Sequence, residues 1–326
     1  MFTVNRQQFQ IGFILISIAI ICWGMLPIAL KLSSTFIDPV TLTWFRFSVA
    51  LVIAFFTQVL TGAVKQFANL SKKEWVILSA CALFSIANYI SFVYALDYIA
   101  PGPAQLNFQL APFYLAIGGV LLLKERISRV QWLCFIALGI GLMLFFHPYL
   151  NFAEQKNGLI WVGIAWVQFS AMSWSGFALL QKSLFHKLSP ANTLLFIYVV
   201  GLLVIAPFAD FSAFEPMAEG DWYIAVFCAF NTVIAYTSFS IAMKYWPTAQ
   251  VSAMVGITPL TCFAFSAIAV ELGWWPEMIT ANNIDAISAS GMIVVVLAVA
   301  GVQLLPRYSR QKAQPQQILV DKPQST

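Results

Sequence analysis

Apolar residues run along this chain in long blocks with short polar segments between them. The blocks lie at Ile11–Leu30, Val40–Leu60, Trp75–Leu96, Gln105–Leu123, Val130–Phe146, Leu159–Leu180, Asn192–Ala209, Trp222–Met243, Thr248–Val270 and Ala286–Leu305. A helix needs about 20 apolar residues to cross a hydrocarbon core, whereas a barrel strand needs about ten with alternating polarity. None of the blocks alternates, so the pattern predicts ten transmembrane helices joined by short loops, an all-α polytopic membrane protein. The first block follows a single basic residue, Arg6, and is too long for a signal-peptide core, so it is expected to stay as the first span.

The chain also matches itself. At an offset of 151, Trp23 maps to Trp174, Lys31 to Lys182 and Pro39 to Pro190. At an offset of 147, Trp75 maps to Trp222, Cys81 to Cys228, Tyr89 to Tyr236, Phe92 to Phe239, Tyr98 to Tyr245 and Pro112 to Pro259. Residues as rare as Trp, Pro and Lys holding register in this way indicate a duplication. Each half has an odd number of spans, so the second enters the membrane from the opposite face. The expectation is two inverted five-helix repeats, 1–150 and 158–306, an arrangement that suits alternating access. The polar residues 307–326 read as a disordered cytoplasmic tail.

Composition agrees with lipid as the main solvent. Hydrophobic residues make up 60% of the chain and charged ones 9%, against roughly 25% charged in soluble domains, too few to coat a water-soluble globule. Cys22, Cys81, Cys134, Cys228 and Cys262 all fall inside apolar blocks, where they read as small packing residues. The net charge of +4 matters less than its distribution. Of the 17 Lys and Arg residues, all but Lys31, Arg46 and Lys156 fall on the side of the termini. Of the 13 acidic residues, only Glu74, Glu125 and Asp321 do. Positive loops stay cytoplasmic, so both termini are predicted to be cytoplasmic.

Candidate chemistry is sparse. No phosphate-cradling Gly-x-x-x-x-Gly-Lys-[Ser/Thr] loop is present, and His147 and His186 stand apart near span ends. The sequence therefore points to no enzyme activity, metal, cofactor or nucleic-acid partner. Polar groups inside spans are costly and face either a cavity or a partner helix. Arg46 is the one charge well inside a span. Asn88, Tyr89 and Tyr94, then Gln105, Asn107 and Gln109, then Ser170, Ser173 and Trp174, then Asn231 and Tyr236 supply uncharged polarity near mid-membrane. For each taken singly, an interhelical hydrogen bond competes with a role in lining a cavity; as a set on symmetry-related spans they favour the cavity. Trp23, Arg46, Asn88, Tyr89, Asn107, Trp174 and Tyr236 are the substrate-binding candidates. Lys31 and Lys182 are placed near opposite faces, where they either pair with carboxylates in alternate gates or snorkel. Pro112 and Pro259 should kink their spans, and with the two lysines they complete the gating and hinge candidates. Pro101 and Pro103 read as helix starters.

In the first half, Trp23-Gly24, Lys31, Asp38-Pro39, Arg46-Phe47, Pro112 and Lys124-Glu125-Arg126-Ile127-Ser128 follow in order. This series resembles the drug/metabolite transporter superfamily, in particular its EamA-type ten-span members, over nearly the whole chain. The second half departs more, with Ser175 where Gly is usual and no Arg at the place equivalent to Arg46. The resemblance implies a secondary transporter in the bacterial inner membrane, exporting or less often importing a small metabolite through a central cavity lined by spans one, three, four and their repeats. It implies a coupling proton or a counter-substrate, and a monomer or homodimer in the lipid bilayer. Arg46 and Lys31 favour a carboxylate, and the aromatic residues an apolar portion, as in an amino acid. Broad drug efflux is the alternative, though no carboxylate is embedded where cation efflux would want one. A membrane enzyme or sensor would need clustered acid/base groups or a soluble domain, and neither is visible.

Overall fold

The computed structural model describes residues 6–99, 101–147, 159–279 and 285–313, with the backbone alone at 101–103 and 305–313. The expected charges Glu154 and Lys156, and the tail beyond residue 313, lie outside the described residues.

Twelve α-helices make up the described chain, with short 3-10 turns between some of them. They are α1 (Arg6–Ser33), α2 (Pro39–Leu60), α3 (Lys72–Ala95), α4 (Pro101–Phe108), α5 (Ala111–Leu121), α6 (Arg129–Phe145), α7 (Ile160–Leu184), α8 (Pro190–Ile205), α9 (Glu219–Tyr245), α10 (Thr248–Val255), α11 (Thr258–Glu271) and α12 (Ala286–Ala313). Among the described residues, seven segments are long and apolar enough to cross a membrane, counting Thr248–Glu271 as one, while α6 at 17 residues is shorter. The helix starting at Ala286 runs on to Ala313, past the expected end at Leu305.

Helix starts follow local chemistry. Asp38 caps α2 by accepting from the Val40 and Thr41 amides, and Ser189 accepts from the Asn192 amide at α8; each is followed by proline at the first helical position. Ser71 with Glu74, and Ser128 with Gln131, form reciprocal capping boxes at α3 and α6.

The expected kinks at Pro112 and Pro259 are full breaks. A proline ring collides with the carbonyl four residues earlier. Those residues are Phe108 and Val255, the last of α4 and α10. The helix resumes with each proline in its second position, as α5 and α11. Pro27, by contrast, sits inside α1 without interrupting it.

Packing pairs the elements in a crossed pattern. α3 lies against α7 and α1 against α9; α5 packs on α7 and α11 on α1; α2 pairs with α8 and α6 with α12. Ends are sorted as well. At one end of the bundle the Phe9 ring stacks on Trp246 at 4.8 Å, so the start of α1 meets the end of α9. At the other end Tyr98 and Ile99 press on Gly163 near the start of α7. The α6–α12 crossing is close: a Cβ at Gly291 would stand 2.4 Å from the Phe145 amide nitrogen and 2.7 Å from the Gly141 carbonyl oxygen. Small residues let helix backbones approach in this way where lipid supplies no hydrophobic drive for association.

Candidate functional site

The side chains that converge at the middle of the bundle are mostly aromatic. Trp23 on α1 meets Trp174 on α7 at 6.0 Å between ring centroids, Tyr236 on α9 at 5.7 Å and Phe239 at 5.3 Å. Tyr89 on α3 lies 6.2 Å from Tyr236 and 5.2 Å from Phe47, whose other neighbour is Tyr198 on α8 at 5.5 Å. Edge-to-face contacts at such spacings each contribute about 0.5–1.5 kcal/mol beyond area burial, so the cluster is a cohesive core as it stands. Between Phe47, Ser85, Tyr89, Ile197, Tyr198 and Tyr236 runs a narrow gap too tight to admit a water. Of the residues expected to line a solute cavity, Trp23, Tyr89, Trp174 and Tyr236 lie together here and close on one another.

Arg46, on α2 and 3% exposed, enters this cluster from one side. Its Nε donates to Thr232 Oγ1 at 2.7 Å, and its guanidinium carbon stands 5.7 Å from the centre of the Tyr89 ring. Nη2 has no hydrogen-bond partner, and among the described residues no carboxylate lies within ion-pair distance of Arg46.

Several of the other candidates are engaged in joining helices. The Asn88 amide donates to Ser170 Oγ at 2.8 Å and to the Ser170 carbonyl at 3.1 Å, while Ser170 Oγ donates back to the Asn88 carbonyl. Asn231 likewise donates to the Cys22 carbonyl at 2.7 Å. These bonds tie α3 to α7 and α9 to α1, at about 0.6–2 kcal/mol each in lipid. Asn107 is half-buried on α4, and its carbonyl accepts from Gln168 on α7, which in turn accepts from the Tyr114 hydroxyl. Tyr94 is exposed and stacks on Trp166 at the bundle surface, away from the cluster.

The two lysines differ. Lys182 Nζ sits 2.8 Å from Glu125 Oε1 and donates to the Trp246 carbonyl and to Thr248 Oγ1. The same carboxylate accepts from the Thr248 amide at 2.7 Å and from its hydroxyl at 2.9 Å. The chain reaches this position through Lys124, one of two described non-glycine residues in the left-handed region, with φ +54°. Lys31, at its matched position, is exposed and forms no ion pair among the described residues. Burial divides in the same way. Val251 to Val255 on α10 are all buried, whereas Gln105 to Phe108 on α4 are half-buried.

Sequence reasoning missed Tyr198 and Thr232. The internal offsets would have exposed both: 47 plus 151 is 198, which pairs Phe47 with Tyr198, and 85 plus 147 is 232, which pairs Ser85 with Thr232.

Comparison with known proteins places this arrangement in a family. The chain is 29% identical to an uncharacterized transporter of Haemophilus influenzae over 92% of its own length and 98% of the relative's. It is 28% identical to the uncharacterized inner membrane transporter YhbE of Escherichia coli, over 89% and 90%. One solved crystal structure superposes with a TM-score of 0.72 at 17% identity, covering 94% of this chain and 99% of its own, which speaks for the fold alone. With its residues 10–147 and 161–306 matching the family model, the chain belongs to the EamA-like transporter family.

Proposed function

We propose that this protein is a secondary active transporter of the bacterial inner membrane that exports a small metabolite, such as an amino acid, by alternating access. In this reading ten spans form two five-span halves of opposite orientation. Spans four and nine are the broken pairs α4/α5 and α10/α11, and both termini face the cytoplasm. The crossed packing supports the duplication, since exchanging the halves turns α3 on α7 into α9 on α1, and α5 on α7 into α11 on α1.

The observation that carries the mechanism is the unequal state of matched positions. Lys182 is locked to Glu125 and α10 is buried, while Lys31 is exposed and α4 is half-buried. Two halves built alike but held in different arrangements can exchange them, and that exchange would open the opposite face. The Lys182–Glu125 contact then acts as the closed cytoplasmic gate, and the chain breaks before Pro112 and Pro259 as the hinges. Trp23, Trp174, Tyr89 and Tyr236 form the collapsed substrate site, which widens when the aromatic cluster parts. The inner-membrane assignment rests on the long apolar segments and on the likeness to YhbE, an inner membrane transporter.

The test is a flux screen in proteoliposomes across amino acids and related metabolites, with Arg46→Ala and Trp23→Ala as site controls. Uptake of a solute by wild type with loss in both variants is the expected result. Unaltered flux in both removes the site assignment, and reporter fusions placing Lys72 and Lys187 on opposite faces of the membrane remove the topology.

A further inference from the structure

The matched halves are unequal at the centre. The internal offsets pair Arg46 with Ile197 (46 plus 151), Phe47 with Tyr198, Ser85 with Thr232, and Tyr89 with Tyr236. On one side, behind the Tyr89 ring that lines the central gap, lies a guanidinium held by Thr232, with its central carbon 5.7 Å from that ring. The matched side presents Ile197 beside Ser85, and both line the gap. A site that the duplication would make even-handed is thus polarised, cationic at one end and apolar at the other.

Its hydrogen bonding is incomplete. Arg46 Nη2 and the hydroxyls of Tyr89 and Tyr198 are buried with no partner. A guanidinium only donates, so no further donor can complete it. Among the described residues no carboxylate lies within ion-pair distance of it. Holding a charge in a dry interior without a counter-ion is costly, and the usual remedy is an opposite charge brought into hydrogen-bonding contact. The neighbouring aliphatic lining, Leu194 and Ile197, offers no polar partner to a second charge.

We infer that the substrate is an amphipathic organic anion whose carboxylate is held by Arg46 and the Tyr198 hydroxyl and whose apolar portion lies toward Ile197. This rests on the transporter reading above and narrows its substrate class. A zwitterion is accepted only as far as its ammonium group can be carried by the aromatic faces, and a plain cation is rejected. With Nε held by Thr232 and Nη2 left to donate, the planar guanidinium aims its free donor in a way that the single ammonium of lysine does not reproduce, so lysine serves poorly in its place.

Purified full-length protein is titrated with hexanoate and phenylacetate, with their amides hexanamide and phenylacetamide, and with hexylamine and phenethylamine, while the concentration dependence of its melting temperature is followed. Wild type is expected to be stabilised by both carboxylates and by neither the amides nor the amines. Arg46→Gln is expected to lose about tenfold to a hundredfold in carboxylate affinity, as befits hydrogen bonds to a charged group. It should fold at least as well as wild type when no ligand is present, because it removes an unpaired buried charge. Tyr198→Phe keeps the ring and is expected to lose a smaller factor, and Arg46→Lys to fall between wild type and Arg46→Gln. Equal response to acids and amides, no response to either carboxylate, or full carboxylate affinity in Arg46→Gln overturns the proposal. Flux in proteoliposomes separates the two readings. Carboxylate binding without flux of any solute leaves the anion site standing and removes transport, and flux restricted to amines or neutral solutes does the reverse.

Discussion

Lys182 Nζ and Glu125 Oε1 meet at 2.8 Å with both side chains about nine-tenths buried, joining the loop after α5 to the far end of α7. The pair does not stand alone. Thr248 at the start of α10 donates to the carboxylate through both its amide and its hydroxyl, and the lysine donates to the Trp246 carbonyl. Three segments from two halves of the chain are held by one ion pair and four hydrogen bonds.

Removing one partner leaves the other charge buried and unanswered, at a cost of about 3–5 kcal/mol for a well-buried pair. Glu125→Gln and Lys182→Gln are each expected to lower the melting temperature of the purified protein. The double variant Glu125→Gln/Lys182→Gln should recover part of that loss, since no charge remains to be desolvated. A double variant as unstable as the sum of the two singles contradicts the pairing.

Under the proposed alternating access, the same lock would set which end of the central path is open. Asn107 on α4 and Met254 on α10 occupy matched positions, since 107 plus 147 is 254, yet Asn107 is half-buried and Met254 is 6% exposed. In a background with the native cysteines replaced, Asn107→Cys is expected to react with a membrane-impermeant maleimide applied from the extracellular side, and Met254→Cys to be protected. Adding Glu125→Gln should raise the labelling of Met254→Cys from the cytoplasmic side and lower that of Asn107→Cys. Labelling of both positions that ignores the lock counts against an exchange of access between the halves.

The helical, membrane-embedded character was legible because lipid imposes it: in a medium without hydrogen-bond donors, backbone groups must be satisfied within the segment, and the apolar blocks follow. Other features depend on where side chains point, which block hydropathy does not register. Asn88 looked like a cavity residue and is taken up by Ser170, because its amide faces the α3–α7 seam. Tyr94, six residues on, faces outward. Pro112 and Pro259 were visible as local faults, but a full break instead of a kink reflects the collision with Phe108 and Val255 together with the tight seat of α10. The Lys182 partner was out of reach because Glu125 sits at a span end, where a carboxylate reads as an ordinary interfacial charge. Tyr198 escaped because one tyrosine in an apolar block resembles core; only its register with Phe47 marks it.

Acid should loosen the start of α12. Asp285 accepts from the Ser288 amide at 2.8 Å and pairs with His147 at 3.0 Å. The Ser288 backbone bond is the largest cause holding its carboxyl below the ordinary range, with the Ser288 hydroxyl and His147 adding to it. A group depressed in the folded state contributes stability that is complete above its unfolded value, about 3.9 for aspartate, and is lost as pH falls through the folded one. Amide exchange at the first turn of α12 is therefore expected to rise in wild type as pH drops below about 4, after correction for intrinsic exchange rates. Asp285→Ala should show the raised exchange at neutral pH already, with little further change on acidification. A wild-type turn whose protection ignores pH down to 3 contradicts the assignment.

Gly24, next to Trp23, marks where α1 and α11 cross. A Cβ there would stand 2.4 Å from Thr261 Oγ1, 2.9 Å from Thr261 Cβ and 3.1 Å from the Cys262 amide nitrogen. The first two distances demand movement, and the third involves backbone, which cannot rotate away. Gly24→Ala is expected to push α1 off α11 at an overpacking cost of about 1–3 kcal/mol, and to displace Trp23 from its contacts with Trp174 and Tyr236. Thr261→Ala in the same chain removes the 2.4 Å clash but leaves the Cβ and Cys262 contacts, so it should restore only part of the melting temperature. Thr261→Gly should restore more, less its own helix cost of about 1 kcal/mol. Loss of flux that tracks the melting temperature through this series ties the crossing to transport through stability alone. Flux that stays low after stability returns shows that the position of Trp23 matters in its own right. A Gly24→Ala protein with unchanged stability and flux means that α1 and α11 are not in contact at this crossing in the membrane.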